Sequence, residues 1–231
     1  MIAVAQTRAI HALQRALAMD DDDYRGFLRA RFKVASSRDL NPAQANALIE
    51  ELRALAGPRA EGRSPAKTVS GRYAKVLQAL WIAGWHLGIV SSKDDAALIA
   101  FVERQTGLPH TRFLSDAADA NRAIEGLKAW LAREAKLVWP DQRDAEREGR
   151  EVGWLRKRAV AHACAVRLQA LGGFRPSFKG DSVWPEDVRA YAQRRGLPAD
   201  FERYGGDDWN RLAGWLGGRL RTALTKKREA A

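Results

Sequence analysis

Apolar residues recur every three or four positions along nearly the whole chain, the period of an amphipathic helix rather than of a strand. Ile10, Leu13 and Leu17 predict a helix over residues 4–18. Asp20 to Asp23 place four carboxylates where the next helix begins, beside its positive N-terminal end. Tyr24, Phe27, Leu28 and Arg31 continue at helical spacing. No spaced acidic ligands or glycine of a calcium loop follow the acidic run, so it reads as a helix start. Asn41-Pro42-Ala43-Gln44 predicts another start: Asn41 caps, Pro42 suits the first turn, and Gln44 reaches back. That helix runs through Leu48, Ile49, Leu52 and Leu55 to a stop at Gly57-Pro58.

A second set follows. Residues 71–87 place Tyr73, Val76, Leu77, Leu80, Trp81 and Gly84 on one face, while Ile82 and Trp85 make the other side apolar too. A deeply buried helix is expected. Ser92-Lys93-Asp94-Asp95 resembles a capping box before Leu98, Phe101 and Val102, and Gly107-Leu108-Pro109 ends that helix. Ser115 is positioned to cap a third, with Ala120, Ile124, Leu127 and Leu131. The two sets read as copies of one unit. Asp20-Asp21, Phe27-Leu28 and Leu40 match Asp94-Asp95, Phe101-Val102 and Leu114 at an offset of 74. After one inserted residue, Ala45-Asn46, Ile49-Glu50 and Leu52-Arg53-Ala54 match Ala120-Asn121, Ile124-Glu125 and Leu127-Lys128-Ala129 at 75.

These residues carry a resemblance. Asp-Asp-Asp-Tyr-Arg (21–25), Ser36-x-x-x-Leu40, Ala-Leu-Trp (79–81), His-Leu-Gly (86–88), Phe-Val-x-Arg-Gln-Thr-Gly (101–107) and Ile-Glu-x-Leu-Lys-x-Trp-Leu (124–131) resemble the GemA-like regulatory proteins of Mu-like phages and prophages. The resemblance spans about residues 4–133 and does not extend past about 140. It implies an early phage regulator acting on host gene expression, with effects on DNA supercoiling through gyrase. It brings no catalytic residues with it.

Beyond residue 140, a charged joint (141–151) precedes a helix from about 152 to 171, closed by Gly172-Gly173. A short helix is expected at 185–195, and a last one at 208–226, with Asp207 as its cap and Trp209, Leu212, Ala213, Leu216, Leu220, Ala223 and Leu224 on its apolar face. The fold expected is all-α. Two related three-helix units (1–57 and 71–135) are joined by a basic linker (58–70) and followed by a basic helical region (136–231).

Composition narrows the function. The 231 residues carry a net charge of +11, distributed as +2 over 1–60, +3 over 61–140 and +6 over 141–231. The C-terminal excess points to a polyanionic partner. A single cysteine, Cys164, excludes an intramolecular disulfide framework. His162 and Cys164 stand two apart, on different sides of a helix, so they do not pair as a nucleophile and base. His86 reads as a packing residue. No phosphate-binding loop, dinucleotide fingerprint, metalloprotease helix or nucleophile elbow occurs, so no enzymatic activity, cofactor or metal is expected. No apolar run approaches the roughly 20 residues of a membrane span, and the N-terminus does not read as a signal peptide. A cytoplasmic protein of the bacterial host cell is expected.

Candidate DNA contacts are Arg63 and Lys67 of the linker, the cluster Arg156-Lys157-Arg158, and Arg211, Trp215, Arg219, Lys226, Lys227 and Arg228 of the last helix. A tryptophan among cations can stack on a base while arginine and lysine meet phosphates, or can anchor a protein partner. The function expected is DNA binding of low sequence specificity. The alternative is a protein-interaction module that redirects a host DNA enzyme such as gyrase without touching DNA.

Overall fold

A computed structural model describes residues 2–56, 68–174, 184 and 186–229. These form ten α-helices and no strand. The first copy comprises α1 (Val4–Ala16), α2 (Asp21–Phe32), a 3-10 turn (Ser37–Asp39) and α3 (Pro42–Ala56). The second comprises α4 (Ala74–His86), α5 (Asp95–Thr106), a 3-10 turn (Thr111–Phe113) and α6 (Ala117–Ala135). The starts of α2 and α5, their ends and both short turns stand 74 residues apart, and α3 and α6 start 75 apart. Both copies leave the second helix through a left-handed residue, Lys33 (φ 59°) or Gly107 (φ 76°). Both then cap the 3-10 turn by a side chain: Ser36 Oγ accepts from the Arg38 amide, and His110 Nδ1 accepts from the Arg112 amide. The order and spacing of these elements recur, while the residues at the helix exit and at the turn cap differ.

Local signals set most boundaries. Asp20 caps α2 by accepting from the Asp23 amide at 2.8 Å. Asn41 and Gln44 make the reciprocal bonds of a capping box, at 3.0 and 2.8 Å. Two expected caps move. Asp94, not Ser92, stands at the start of α5, and Asp95 is used elsewhere, accepting from the Val69 amide at 2.8 Å. At α6 it is Asp116, not Ser115, that accepts from the Ala118 amide at 3.0 Å. The helix α4 is less enclosed than its sequence suggests, because Val76 and Ile82 are exposed.

The chain divides into two compact units along lines that differ from the sequence segments. One holds residues 1–78 and 94–126; the other holds 79–93 and 127–231. The division falls inside α4 and α6, and residues from both sequence copies build the core of the first unit. There α1 packs on α3, with Gln6 Nε2 donating to Pro42 O and to Asn46 Oδ1. Phe27 of α2 meets Phe113 edge-on, with ring centroids 5.3 Å apart. Arg31 of α2 pairs with Glu51 of α3 at 3.3 Å and with buried Asp119 of α6 at 2.7 Å. Arg112 reaches Asp23 at 3.0 Å. A copy of about 55 residues encloses little surface by itself, so sharing a core between copies buries more. The expected linker, residues 58–70, lies outside the described residues over 58–67; the described residues 68–70 are tied down, Ser70 O accepting from the Thr111 hydroxyl at 2.9 Å.

In the second unit α8 (Val152–Ala170) packs along α10 (Gly206–Glu229), with α7 (Gln142–Glu148) and α9 (Glu186–Gln193) beside them. The charged joint is thus a helix, capped by Asp141 and ended by left-handed Gly149. The end of α4 lies against α10: a side chain at Gly217 would meet the His86 backbone at 2.7 Å, which is why glycine stands there. Trp209, fully buried, centres an aromatic cluster with Trp154, Trp184, Phe201 and Tyr204.

Candidate nucleic-acid interface

The helix α10 turns Trp209, Leu212, Ala213, Leu216 and Leu220 into the core. Its other sides carry Arg211, Trp215, Arg219, Thr222 and Lys226, as the helical period requires. The structure brings three of these together with residues of α9 and the loop that follows it. Trp215 is half-buried, and two guanidinium groups lie over its ring: Arg211 at 5.2 Å and Arg195 at 5.6 Å. Arg195 also lies 4.2 Å from the centroid of Tyr191. Arg219 lies 4.9 Å from Tyr191 and 4.8 Å from Phe174, and donates to Gly173 O at 3.2 Å. The result is a ladder in which cations and rings alternate, from Arg211 through Trp215, Arg195, Tyr191 and Arg219 to Phe174.

Guanidinium suits this arrangement. Its planar faces are weakly hydrated and stack on rings, while its N–H groups point outward in the plane and stay free to donate. Arg211 has a distant carboxylate partner, Asp208, at 3.7 Å. Arg195 and Arg219 pair with no carboxylate among the described residues. Arg195 and Arg219 are therefore fixed cations whose charge no carboxylate among the described residues offsets.

The remaining candidates separate. Lys226, Lys227 and Arg228 occupy the last turn of α10, exposed and with no carboxylate partner among the described residues. The cluster 156–158 does not form one patch. Arg156 Nε donates to Pro140 O at 3.1 Å. Lys157 lies over Gly206. Arg158 is neutralised by Glu148 at 2.6 Å and stacks on Trp154 at 5.1 Å. Arg63 and Lys67 lie outside the described residues.

Sequence reasoning missed Arg195, Tyr191 and Phe174. The one available signal was the spacing of four between Tyr191 and Arg195, which places them on one face of a helix. It also missed Arg221, whose guanidinium lies over the Trp85 ring and donates to Trp85 O at 3.4 Å. Burial holds the Arg221 pKa below its ordinary value, and burial with the nearby Arg221 charge lowers that of His86. Cys164 is fully buried, its thiol donates to His86 O at 3.4 Å, and burial pushes its pKa up to about 12. At neutral pH it is a protonated core residue, not a nucleophile. Among the described residues no cluster of histidine, cysteine and carboxylate side chains could hold a metal ion, and no helix is long and apolar enough to cross a membrane.

Residues 19–133 match the family model of the bacteriophage Mu GemA protein. No curated protein and no solved structure matches the chain. The ladder and the basic tail lie outside the matched region.

Proposed function

Because the chain belongs, through residues 19–133, to the GemA family of bacteriophage Mu, we propose that it is a non-enzymatic phage regulatory protein that binds DNA with low sequence specificity. It would modulate host gene expression or DNA topology in the cytoplasm of the bacterial host. The observation that carries this reading is the open basic end of α10, where Lys226, Lys227 and Arg228 stand exposed together. The net charge of +6 over residues 141–231 supports it. Phosphate contacts of this kind release counterions and read no bases, so they give salt-dependent attraction with little selectivity.

The test is fluorescence anisotropy of duplex probes titrated with the intact protein over a range of salt. Affinity is expected to fall steeply with salt. Replacing Lys226, Lys227 and Arg228 together with glutamine is expected to weaken binding to all sequences alike and to flatten the slope of log K against log salt by about three units. Absence of binding at about 50 mM salt would overturn the reading. The protein would then be placed among modules that act on a host DNA enzyme such as gyrase by protein contact.

A further inference from the structure

We propose that the arginine–aromatic ladder of α9 and α10 is a phosphate clamp for the backbone of duplex DNA, in which Trp215 and Tyr191 hold arginines in place and stack on no base. The inference rests on the DNA-binding reading above, and deepens it by naming the form of nucleic acid and the groups that grip it.

Three observations carry it. First, the rings are taken. A base-stacking platform needs an open aromatic face, but Trp215 already carries two guanidinium groups and Tyr191 is buried beneath two. Second, the charges are uncompensated. Arg195 and Arg219 are each held between two rings, and neither pairs with a carboxylate among the described residues. A structural arginine at a surface is ordinarily satisfied by a carboxylate, as Arg158 is by Glu148. Arg195 presents its N–H edge instead, and Arg219 keeps the donors that its bond to Gly173 O leaves, so an oxyanion can take them. Third, the rungs have a suitable span. Arg211 and Arg219 stand eight residues apart on α10, about 12 Å along the axis at about 1.5 Å per residue. With Arg195 also on the ladder, three cations face the axial rise of about three phosphates of one strand at roughly 3.4 Å each.

The chemistry separates this clamp from the lysine-rich tail. The tail offers mobile point charges, whereas the ladder offers pre-oriented forks that lose little freedom on binding. The clamp should therefore be sensitive to geometry as well as charge, and indifferent to base identity.

The experiment uses the intact chain with duplex and single-stranded probes of one sequence, in anisotropy titrations over a range of salt, with circular dichroism of each variant as a check on folding. Arg195→Gln with Arg219→Gln is expected to flatten the duplex salt slope by about two units. Arg195→Lys with Arg219→Lys keeps the charge; it is expected to leave the slope nearly unchanged and still to weaken duplex binding by about threefold to tenfold, because lysine cannot hold the stacked fork. Trp215→Leu is expected to weaken duplex binding at least as much as single-strand binding. The proposal is overturned if the lysine pair binds duplex as the native chain does, or if Trp215→Leu harms single-strand binding more than duplex binding. A glutamine pair with the native slope also overturns it, and if the tail replacements still flatten the slope the DNA-binding reading stands without the clamp. No binding by the native chain at about 50 mM salt removes both.

Discussion

Two adjacent glycines of α10 should respond in opposite directions to the same substitution. Both lie in the middle of a long helix, where glycine is less favourable than alanine by roughly 0.5–1 kcal/mol. A Cβ added at Gly218 would meet nothing within 4 Å. Gly218→Ala should therefore stabilise the protein by about 0.5–1 kcal/mol, or roughly 1–4 °C in a chain of this length. At Gly217 the new carbon would lie 2.7 Å from His86 Cα, 2.8 Å from His86 O and 3.0 Å from His86 Cβ. Two of those atoms are backbone, so no rotamer change relieves the clash. Either α10 or the end of α4 must move, and the neighbouring contact, where Leu224 lies on Gly88, moves with them. Overpacking of this kind costs about 1–3 kcal/mol, which exceeds the gain in helix propensity and leaves Gly217→Ala destabilised by up to about 2 kcal/mol. Because the propensity term is common to both variants, their difference isolates the cost of the contact. Urea denaturation of the two variants beside the native chain measures it. If Gly217→Ala is stabilised as much as Gly218→Ala, the close approach of α10 to His86 does not exist and this account of the second unit fails.

Two further outcomes are expected. Leu52 and Leu127 are matched positions of the two copies and both are fully buried, so each change to alanine should cost about 2–5 kcal/mol; a cost below about 1 kcal/mol at either, in the same denaturation assay, would show that the position is not packed as described. Burial raises the Cys164 thiol from 9.0 to about 12 and the Tyr204 phenol from 10.0 to about 12, and a raised acid adds stability that is present below its unfolded pKa and is lost as pH rises through the folded one. Melting temperature should thus fall between about pH 9 and pH 12, and Cys164 should react with a thiol reagent at neutral pH only once urea opens the chain; prompt labelling of the native protein would contradict the burial.

Helix identity was legible along the chain because it rests on local terms. Period, capping and turn residues act within about one turn, and the offset of 74 then 75 residues recurs in the helix starts. Even the errors were local. Asp116 took the cap from the adjacent Ser115, since neighbouring polar side chains compete for the same amide at nearly equal free energy, and α5 starts at Asp94, two residues past Ser92, with no side-chain cap bond from Asp94. Which helices share a core was decided elsewhere. Phe27 and Phe113, or Arg31 and Asp119, are more than 80 residues apart, and nothing in either copy's pattern says that it closes against the other rather than on itself. The same holds for charge. The chain order shows Arg156, Lys157 and Arg158 as one cluster and Arg195 only as a neighbour of Arg194, with no aromatic partner marked beyond Tyr191. Packing disperses the first, because a helix turns about 100° per residue and Glu148 is at hand for one member. It assembles the second with Trp215 and Tyr191, because the positions of α9 and α10, and not their sequences, decide which ring lies beneath which cation.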